Sequence, residues 1–287
     1  MMATLIDGRK IAEEMLDSIA KEIGLLKLSA GRPPRLVSIS VGGQEDAEIY
    51  MRMQEKAAGR IGAEFEKCEF AAGTAARDVI SRIEEFNRDD KVTAVIIQRP
   101  LEGMGHDKIV VHLAPEKDAE GIHPANLGKI FRRDADIVPC TPAAVMKILS
   151  EMGEELYGRE VVIIGHSATV GKPLSMMMLN ETATVTVCHI GTSEKGDIPA
   201  HTRRADILVV AVGKPEMVKA DWVKQGAAVI DVGINEVDGH IVGDVDLDGV
   251  SEKASAVTPV PGGVGPVTVS ALMRNVLRAY KIQNGKL

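Results

Sequence analysis

An α/β fold in two domains, the second a Rossmann-type doubly wound parallel sheet, is the prediction for this chain, and three observations carry it. Short runs dense in valine and isoleucine alternate with helix-patterned segments, as parallel strands covered on both faces require. A glycine loop separates one such run from the helix after it. The pattern breaks at Pro139-Cys140-Thr141-Pro142, and a fresh strand–helix–strand unit begins beyond it. A length of 287 residues suits two domains of ordinary size.

The first helix is expected over residues 8–28 and the first strand over 36–41. In the helix predicted over 46–61, Ile49, Met53, Ala57 and Ile61 recur every four residues and make a core stripe. Ala47, Tyr50 and Gln54 form a neighbouring stripe. It reads either as a site wall or as a tyrosine satisfying its hydroxyl at a domain edge. Strands at 64–70 and 92–98 flank a helix at 75–87, and the charged stretch 82–91 is a solvated helix end. Thr141 is placed to cap a helix starting at Pro142. The strand at 161–165, helix at 172–180 and strand at 184–189 then form one βαβ nucleotide-binding module. Strands at 207–212 and 227–232 follow, and a last helix spans 267–282.

Composition narrows the function classes. Hydrophobic residues make up 45% and charged residues 26%, enough for a proper core. A net charge of −7 with 3% aromatics argues against nucleic acid as a partner. The three cysteines suggest neither a disulfide framework nor a zinc cluster, and Cys140 and Cys188 read as small buried residues rather than nucleophiles. The seven histidines show no metal spacing, so no metal is expected, and His106 and His112 read as surface residues. Met176-Met177-Met178 packs a helix onto its sheet. No apolar run approaches the roughly 18 residues of a membrane span, and the opening MMATLIDGRK lacks a signal-peptide core. A cytoplasmic, soluble enzyme without membrane contact is the expectation.

The loop Gly165-His166-Ser167-Ala168-Thr169-Val170-Gly171 leaves a strand and enters a helix. Glycines there let the backbone approach a pyrophosphate, and the helix N-terminus offers free N–H groups to its charge. Ser167 occupies the place of the second glycine in the usual G-x-G-x-x-G pattern. Gly213 and the segment Asp231-Val232-Gly233-Ile234-Asn235 fall at further strand ends, where open α/β sheets bind ligands.

Seven motifs in order then identify a resemblance. They are Ile49-Tyr50, Ile97-Gln98-Arg99-Pro100-Leu101, Lys117-Asp118-Ala119-Glu120-Gly121-Ile122-His123-Pro124, Pro139-Cys140-Thr141-Pro142, the loop from Gly165 to Gly171, Asp231-Val232-Gly233-Ile234-Asn235, and Thr258-Pro259-Val260-Pro261-Gly262-Gly263-Val264-Gly265-Pro266. Over essentially its whole length the chain resembles the methylenetetrahydrofolate dehydrogenase/cyclohydrolase family. The resemblance implies a catalytic, folate-binding domain over residues 1–140, a dinucleotide-binding domain over 141–267, and a helix at 268–287 packing back on the first. It also implies a cleft between the domains and a homodimer. Its activity would be oxidation of 5,10-methylenetetrahydrofolate to the methenyl form with a nicotinamide cofactor, followed in many members by hydrolysis to 10-formyltetrahydrofolate.

Carried over by motif position, Tyr50 stacks on the folate, Gln98 reaches the reacting centre and Glu120 hydrogen-bonds the pterin. Pro261, Gly262 and Gly265 line the folate side of the last loop. Thr141, Gly165, His166, Ser167, Val170, Gly171, Ile190, Gly213, Ile234 and Thr268 belong to the cofactor site. The chain departs from the family pattern at five places. Gln54 stands where a catalytic lysine is expected, Ala47 replaces a serine, and Glu120 replaces an aspartate. His166 and Ile190 replace an arginine and a serine that hold the NADP phosphate. The first two departures predict weak or absent hydrolysis. The last two predict NAD rather than NADP, because a 2′-phosphate normally needs a guanidinium or several donors.

Overall fold

The computed structural model describes residues 2–43 and 45–286, and for residues 45–47 the backbone alone. The chain opens with a two-residue strand β1 (Thr4–Leu5) and helix α1 (Gly8–Ala30), followed by β2 (Arg35–Val41), α2 (Glu45–Arg60), β3 (Glu64–Phe70), α3 (Ala76–Arg88) and β4 (Ala94–Ile97). Short helices α4 (His106–Val110) and α5 (Pro124–Phe131) precede α6 (Cys140–Glu151). Then come β5 (Glu160–Ile164), α7 (Gly171–Asn180), β6 (Thr184–Cys188), α8 (Ile190–Glu194), α9 (Ile198–Thr202), β7 (Ile207–Val210) and β8 (Ala228–Asp231). The hairpin β9 (Asn235–Val237) and β10 (His240–Val242), α10 (Leu247–Ser251), β11 (Ala256–Val257) and α11 (Val264–Gln283) complete it.

Two compact units emerge. Glu13–Cys140 together with the chain from Val269 forms one; the segment through Ala12 together with Thr141–Thr268 forms the other. In the first unit β2 lies between β3 and β4, all parallel, with Leu36 opposite both Phe65 and Ala94. The central strand is buried on both faces, Ser38 and Ser40 included. Val79, Ile83 and Phe86 of α3 seal the sheet at helical spacing. In the same unit Tyr280 of α11 is fully buried and its hydroxyl donates to the Arg32 carbonyl.

The core stripe predicted for α2 needs correcting. Ile49 and Met53 are 48% and 44% exposed; Ala57 is buried as expected, and on the face beside it Met51, Gln54, Ala58 and Ile61 are buried. Those four follow the 3-4-3 spacing of one helix face, and a polar residue at its centre hides the face from a hydrophobicity pattern. The expectation for Ala47 concerns a side chain outside the described residues. Thr141 does not cap α6: the helix already begins at Cys140, so Thr141 lies in its first turn.

The second unit holds a six-stranded parallel sheet in the order β1-β11-β8-β7-β5-β6. From β5 the chain first adds β6 on one side and then β7 on the other, so the order reverses at the carboxyl ends of β5 and β7. Such a switch point leaves a crevice for a ligand. Val162, Ile164, Leu208, Val210, Val229 and Val257 form the buried core of this sheet. β1 pairs with β11, Thr4 opposite Ala256 and Leu5 opposite Val257. Backbone pairing therefore draws the first twelve residues into this unit, contrary to a first domain running from residue 1. Among the described residues no helix is long and apolar enough to cross a membrane.

Candidate active site and dinucleotide cradle

In the first unit the chemistry gathers at the carboxyl end of β4. The backbone N–H of Gln98 donates to the Ile39 carbonyl at 2.8 Å, carrying the sheet ladder one residue beyond the strand and fixing where the side chain starts. Its Nε2 donates to Ser38 Oγ and to Gln54 Oε1, both at 2.8 Å. Gln54 is fully buried, and its own Nε2 has no partner among the described residues. A buried donor without a partner costs about 1–3 kcal/mol unless a ligand or water meets it, so this amide marks a place built to face something. Tyr50 lies one turn earlier on α2. Burial and the neighbouring Cys140 and Glu120 push its phenol up, with Arg99 opposing, so it stays protonated.

Glu120 is delivered by a tightly organised loop. Asp118, itself buried, accepts from the N–H groups of Glu120, Gly121 and His123 at 3.1, 3.0 and 2.8 Å and from Asn126 Nδ2 at 3.0 Å. Gly121 has φ +73°, and a Cβ there would lie 2.2 Å from the Val138 carbonyl carbon, so no side chain fits. From α11, Asn275 Nδ2 donates to the carbonyls of Ala119 at 2.9 Å and Val138 at 2.8 Å, clamping the loop from behind.

One Glu120 oxygen accepts from Arg99 at 2.8 Å, and the other lies 3.8 Å from His106 Nε2. The Glu120 side chain is 15% exposed. Burial pushes its carboxyl up to about 7; the Arg99 guanidinium pulls it down and the Asp118 charge pushes it further up. His106 is not a surface residue. Its side chain is 11% exposed and its Nε2 lies 3.2 Å from the Ile97 carbonyl. Burial and Arg99 lower its pKa. His112 is exposed. Sequence reasoning missed Arg99 and His106 as neighbours of Glu120 because three separate loops bring them together. Cys140 is a buried thiol whose pKa burial raises well above normal, which leaves no thiolate for nucleophilic work. Cys188 is buried as well. Among the described residues no group of His, Cys, Asp and Glu could hold a metal ion.

The second unit places a glycine cradle at the switch point. Gly165 follows β5 with φ +124°, and a Cβ on it would meet the Ala211 carbonyl oxygen at 2.3 Å. A Cβ on Gly171 would fall 2.0 Å from the Gly165 carbonyl oxygen. Both glycines are thus required for the loop to fold tightly onto the first turn of α7, whose N–H groups suit an anion. The Val170 N–H is satisfied by Ser167 Oγ at 3.1 Å. Beside the loop opens a pocket of about 310 Å³ whose lining includes Gly165, His166, Ser167 and Ile190. Close-approach glycines, a helix N-terminus and a mostly apolar pocket fit the phosphates and adenosine of a dinucleotide.

Val170, Gly171 and Gly213 flank this pocket without lining it, whereas Val212 and Lys214 do line it. The Gly213 turn is held by Asp244, which accepts from the N–H groups of Val212, Gly213 and Lys214 at 2.7, 3.0 and 2.8 Å. Asp244 and His189 are the residues here that sequence reasoning passed over. The other predicted positions do not line the pocket: Ile234 is 66% exposed, and Thr268 Oγ1 is spent on the Val264 carbonyl of its own helix. The loop carrying Pro261, Gly262 and Gly265 passes Gly8 and Arg9 of the same unit; a Cβ on Gly8 would strike the Gly263 carbonyl oxygen at 1.8 Å.

Known proteins match this arrangement along the whole chain. Residues 6–120 match the catalytic domain of tetrahydrofolate dehydrogenase/cyclohydrolase, and residues 139–284 match its NAD(P)-binding domain. The chain belongs to the tetrahydrofolate dehydrogenase/cyclohydrolase family. It is 42% identical over 283 residues to the bifunctional protein FolD of Bacillus licheniformis, covering 98% of both chains. The FolD methylenetetrahydrofolate dehydrogenase/cyclohydrolase of Campylobacter jejuni is similar in structure, with a TM-score of 0.93, 37% identity and coverage of 98% of this chain and 99% of that one. The Trypanosoma brucei FolD, solved with NADP and an inhibitor, has the same TM-score at 36% identity and 98% coverage of each chain. The family's catalytic half thus holds Tyr50, Gln54, Gln98 and Glu120, and its nucleotide half holds the glycine cradle.

Proposed function

We propose that the chain oxidises 5,10-methylenetetrahydrofolate to 5,10-methenyltetrahydrofolate with a nicotinamide dinucleotide. The observation that carries this reading is the coupling, in one chain, of the family's catalytic domain with a glycine cradle at a sheet switch point. The bound nicotinamide supplies the oxidant. The carbon that loses hydrogen is flanked by two nitrogens whose lone pairs stabilise the cation left behind, so the protein's work is mainly positioning. Tyr50 stacks on the folate, and Glu120, as the carboxylate, accepts from the pterin donors. Gln98, its amide held by Ser38 and Gln54, faces the reacting centre. Pro261, Gly262 and Gly265 contact the folate. Gly165, His166, Ser167, Val170, Gly171, Ile190 and Gly213, with Thr141, Ile234 and Thr268, contact the dinucleotide.

For the hydrolytic step two readings stand. The relatives are bifunctional by name, and likeness to them favours a chain that carries both activities. Weak or absent hydrolysis finds no support in that likeness; Gln54 alone favours it. A neutral amide supplies no proton, and hydrolysis needs an activated water and protonation of a leaving nitrogen.

On the cofactor, a pocket lined by His166 and Ile190 offers no guanidinium to a 2′-phosphate and favours NAD, although the Trypanosoma relative was solved with NADP. A homodimer completes the proposal, and light scattering tests it. The purified protein is mixed with methylenetetrahydrofolate and either NAD or NADP, and reduced nicotinamide and methenyl absorbance are followed separately. Reduced nicotinamide formed with NAD at a higher kcat/KM than with NADP is the expected result. Absence of oxidation with both overturns the assignment.

A further inference from the structure

We propose that His189 and His166 together read the 2′ position of the dinucleotide, so that NADP binding takes up a proton and NAD binding does not. The inference rests on the dinucleotide reading above and adds to it a residue and a proton. His189 directly follows β6, the strand beside β5. That strand end is where a doubly wound sheet recognises the ribose 2′ group, usually with a carboxylate for NAD or an arginine for NADP. Here neither is present: among the described residues no Asp, Glu or Arg lines the pocket, and His189 does.

The ring's hydrogen placement follows from its backbone contacts. His189 caps α8: its Nδ1 accepts from the Gly191 N–H at 3.2 Å, and its own N–H donates to Thr192 Oγ1 at 3.3 Å. With Nδ1 used as an acceptor, the neutral ring carries its hydrogen on Nε2. Adding a proton at Nδ1 breaks the cap, so the cap opposes a second proton on His189 and leaves its Nε2–H as the donor. His166 has no such tie; its ring makes no hydrogen bond among the described residues. The ring centroids are 5.3 Å apart, tilted by 47°. Two imidazolium charges at that separation repel, and of the two rings only His166 can accept a proton without losing a backbone contact.

The other cation lining the pocket is Lys214, from the turn after β7. Lys172 of α7, Glu194 and Lys195 of α8, and His201 of α9 do not line it. Arg204 is engaged by Thr186 of β6 at 2.9 Å and by Glu160 of β5 at 3.7 Å. A 2′-phosphate set against the rings favours imidazolium, and a 2′-hydroxyl does not. NADP is then expected to bring a proton with it to His166.

Calorimetric titration of NAD and NADP between about pH 6 and pH 8, in buffers of different ionisation enthalpy, counts that proton. The preference for NAD over NADP is expected to shrink by about tenfold or more from the alkaline to the acid end. NADP binding should take up close to one proton near neutrality and NAD none. The 2′-phosphate titrates itself near pH 6, so His166→Gln is run alongside and should retain only that background. The histidine Cε1–H resonances give a readout independent of any variant: in the wild type one ring, not two, titrates at higher pH with NADP than with NAD. A pH-independent preference in the wild type, or the full pH dependence persisting in His166→Gln, overturns the proposal while leaving dinucleotide binding intact. Failure of both nucleotides to bind at any pH overturns the dinucleotide reading itself, and this proposal with it.

Discussion

Replacing Gln54 with lysine puts an amine where a fully buried amide now stands. Gln54 Oε1 accepts from Gln98 Nε2 at 2.8 Å, and Ser38 Oγ takes the second hydrogen of that amide. A lysine removes the acceptor, but Gln98 can turn its amide over and offer Oε1 to the new amine. The pocket then holds one satisfied contact in place of another, and the stability cost is that of burying an amine, about 1–3 kcal/mol. Burial also lowers a lysine pKa, by up to roughly 3–5 units for a fully buried one, which brings the group into the range where it exchanges protons. Positioned acid–base groups contribute about 10²–10⁴-fold. The variant is therefore expected to hydrolyse methenyltetrahydrofolate about 10²–10⁴-fold faster than the wild type. Dehydrogenation, which moves no proton at this position, should change by less than about tenfold.

The assay follows loss of methenyl absorbance without nicotinamide, against the spontaneous rate, with thermal unfolding run on both proteins. A wild type that hydrolyses as fast as it oxidises, with no gain from lysine, refutes the argument and leaves the fully bifunctional reading standing.

Three further outcomes follow from particular contacts. Glu120 carries a folded pKa of about 7 against roughly 4.3 in an unfolded chain. Its stabilising contribution is therefore present at low pH and lost as pH rises through 7, amounting to about 4 kcal/mol at most; urea unfolding should show the advantage of Glu120→Gln over wild type growing from pH ~5 to pH ~8. Gly171→Ala puts a Cβ 2.0 Å from the Gly165 carbonyl oxygen and should weaken dinucleotide binding at least tenfold by calorimetry. Asn275→Ala strips the buried carbonyl of Ala119 and the half-buried one of Val138 of their donor and should cost about 1–3 kcal/mol in denaturant unfolding.

The doubly wound sheet was legible because its strands are buried on both faces, and such strands are written in uninterrupted valine and isoleucine. β5 and β7 show this plainly: Val161–Ile164 and Ile207–Val210 are wholly buried. β1 was not legible. Two residues carry no periodicity, and their partner, β11, lies some 250 positions away in sequence. The β9–β10 hairpin had a usable signal that went unread. Asp238 and Gly239 both adopt positive φ, 51° and 76°, as a two-residue turn of Asp-Gly between short strands demands.

For the site, the sequence offered candidate residues by resemblance and no sign of their partners. The family resemblance pointed to Tyr50, Gln98 and Glu120 through the motifs in which they stand, and all three fall in one compact unit. What governs Glu120 is the company of Arg99, His106 and Asp118, and no spacing rule joins those loops. Gln54 shows why the distinction matters for function. In the sequence it is one polar residue on a helix; in the structure its carbonyl is committed to Gln98 and its amide nitrogen is the buried donor without a partner. A group in that position can hold an oxygen or a nitrogen lone pair of a ligand but cannot give up or accept a proton near neutrality. Positioning without proton transfer is what the oxidative half of the family's chemistry needs, and it is less than the hydrolytic half needs. Either another group supplies the missing proton step, with Glu120 near 7 the nearest titrating candidate in the cluster, or the step is slow. Glu120→Gln separates these: loss of hydrolysis beyond the loss of dehydrogenation assigns the proton to Glu120, and parallel losses assign it to substrate binding alone.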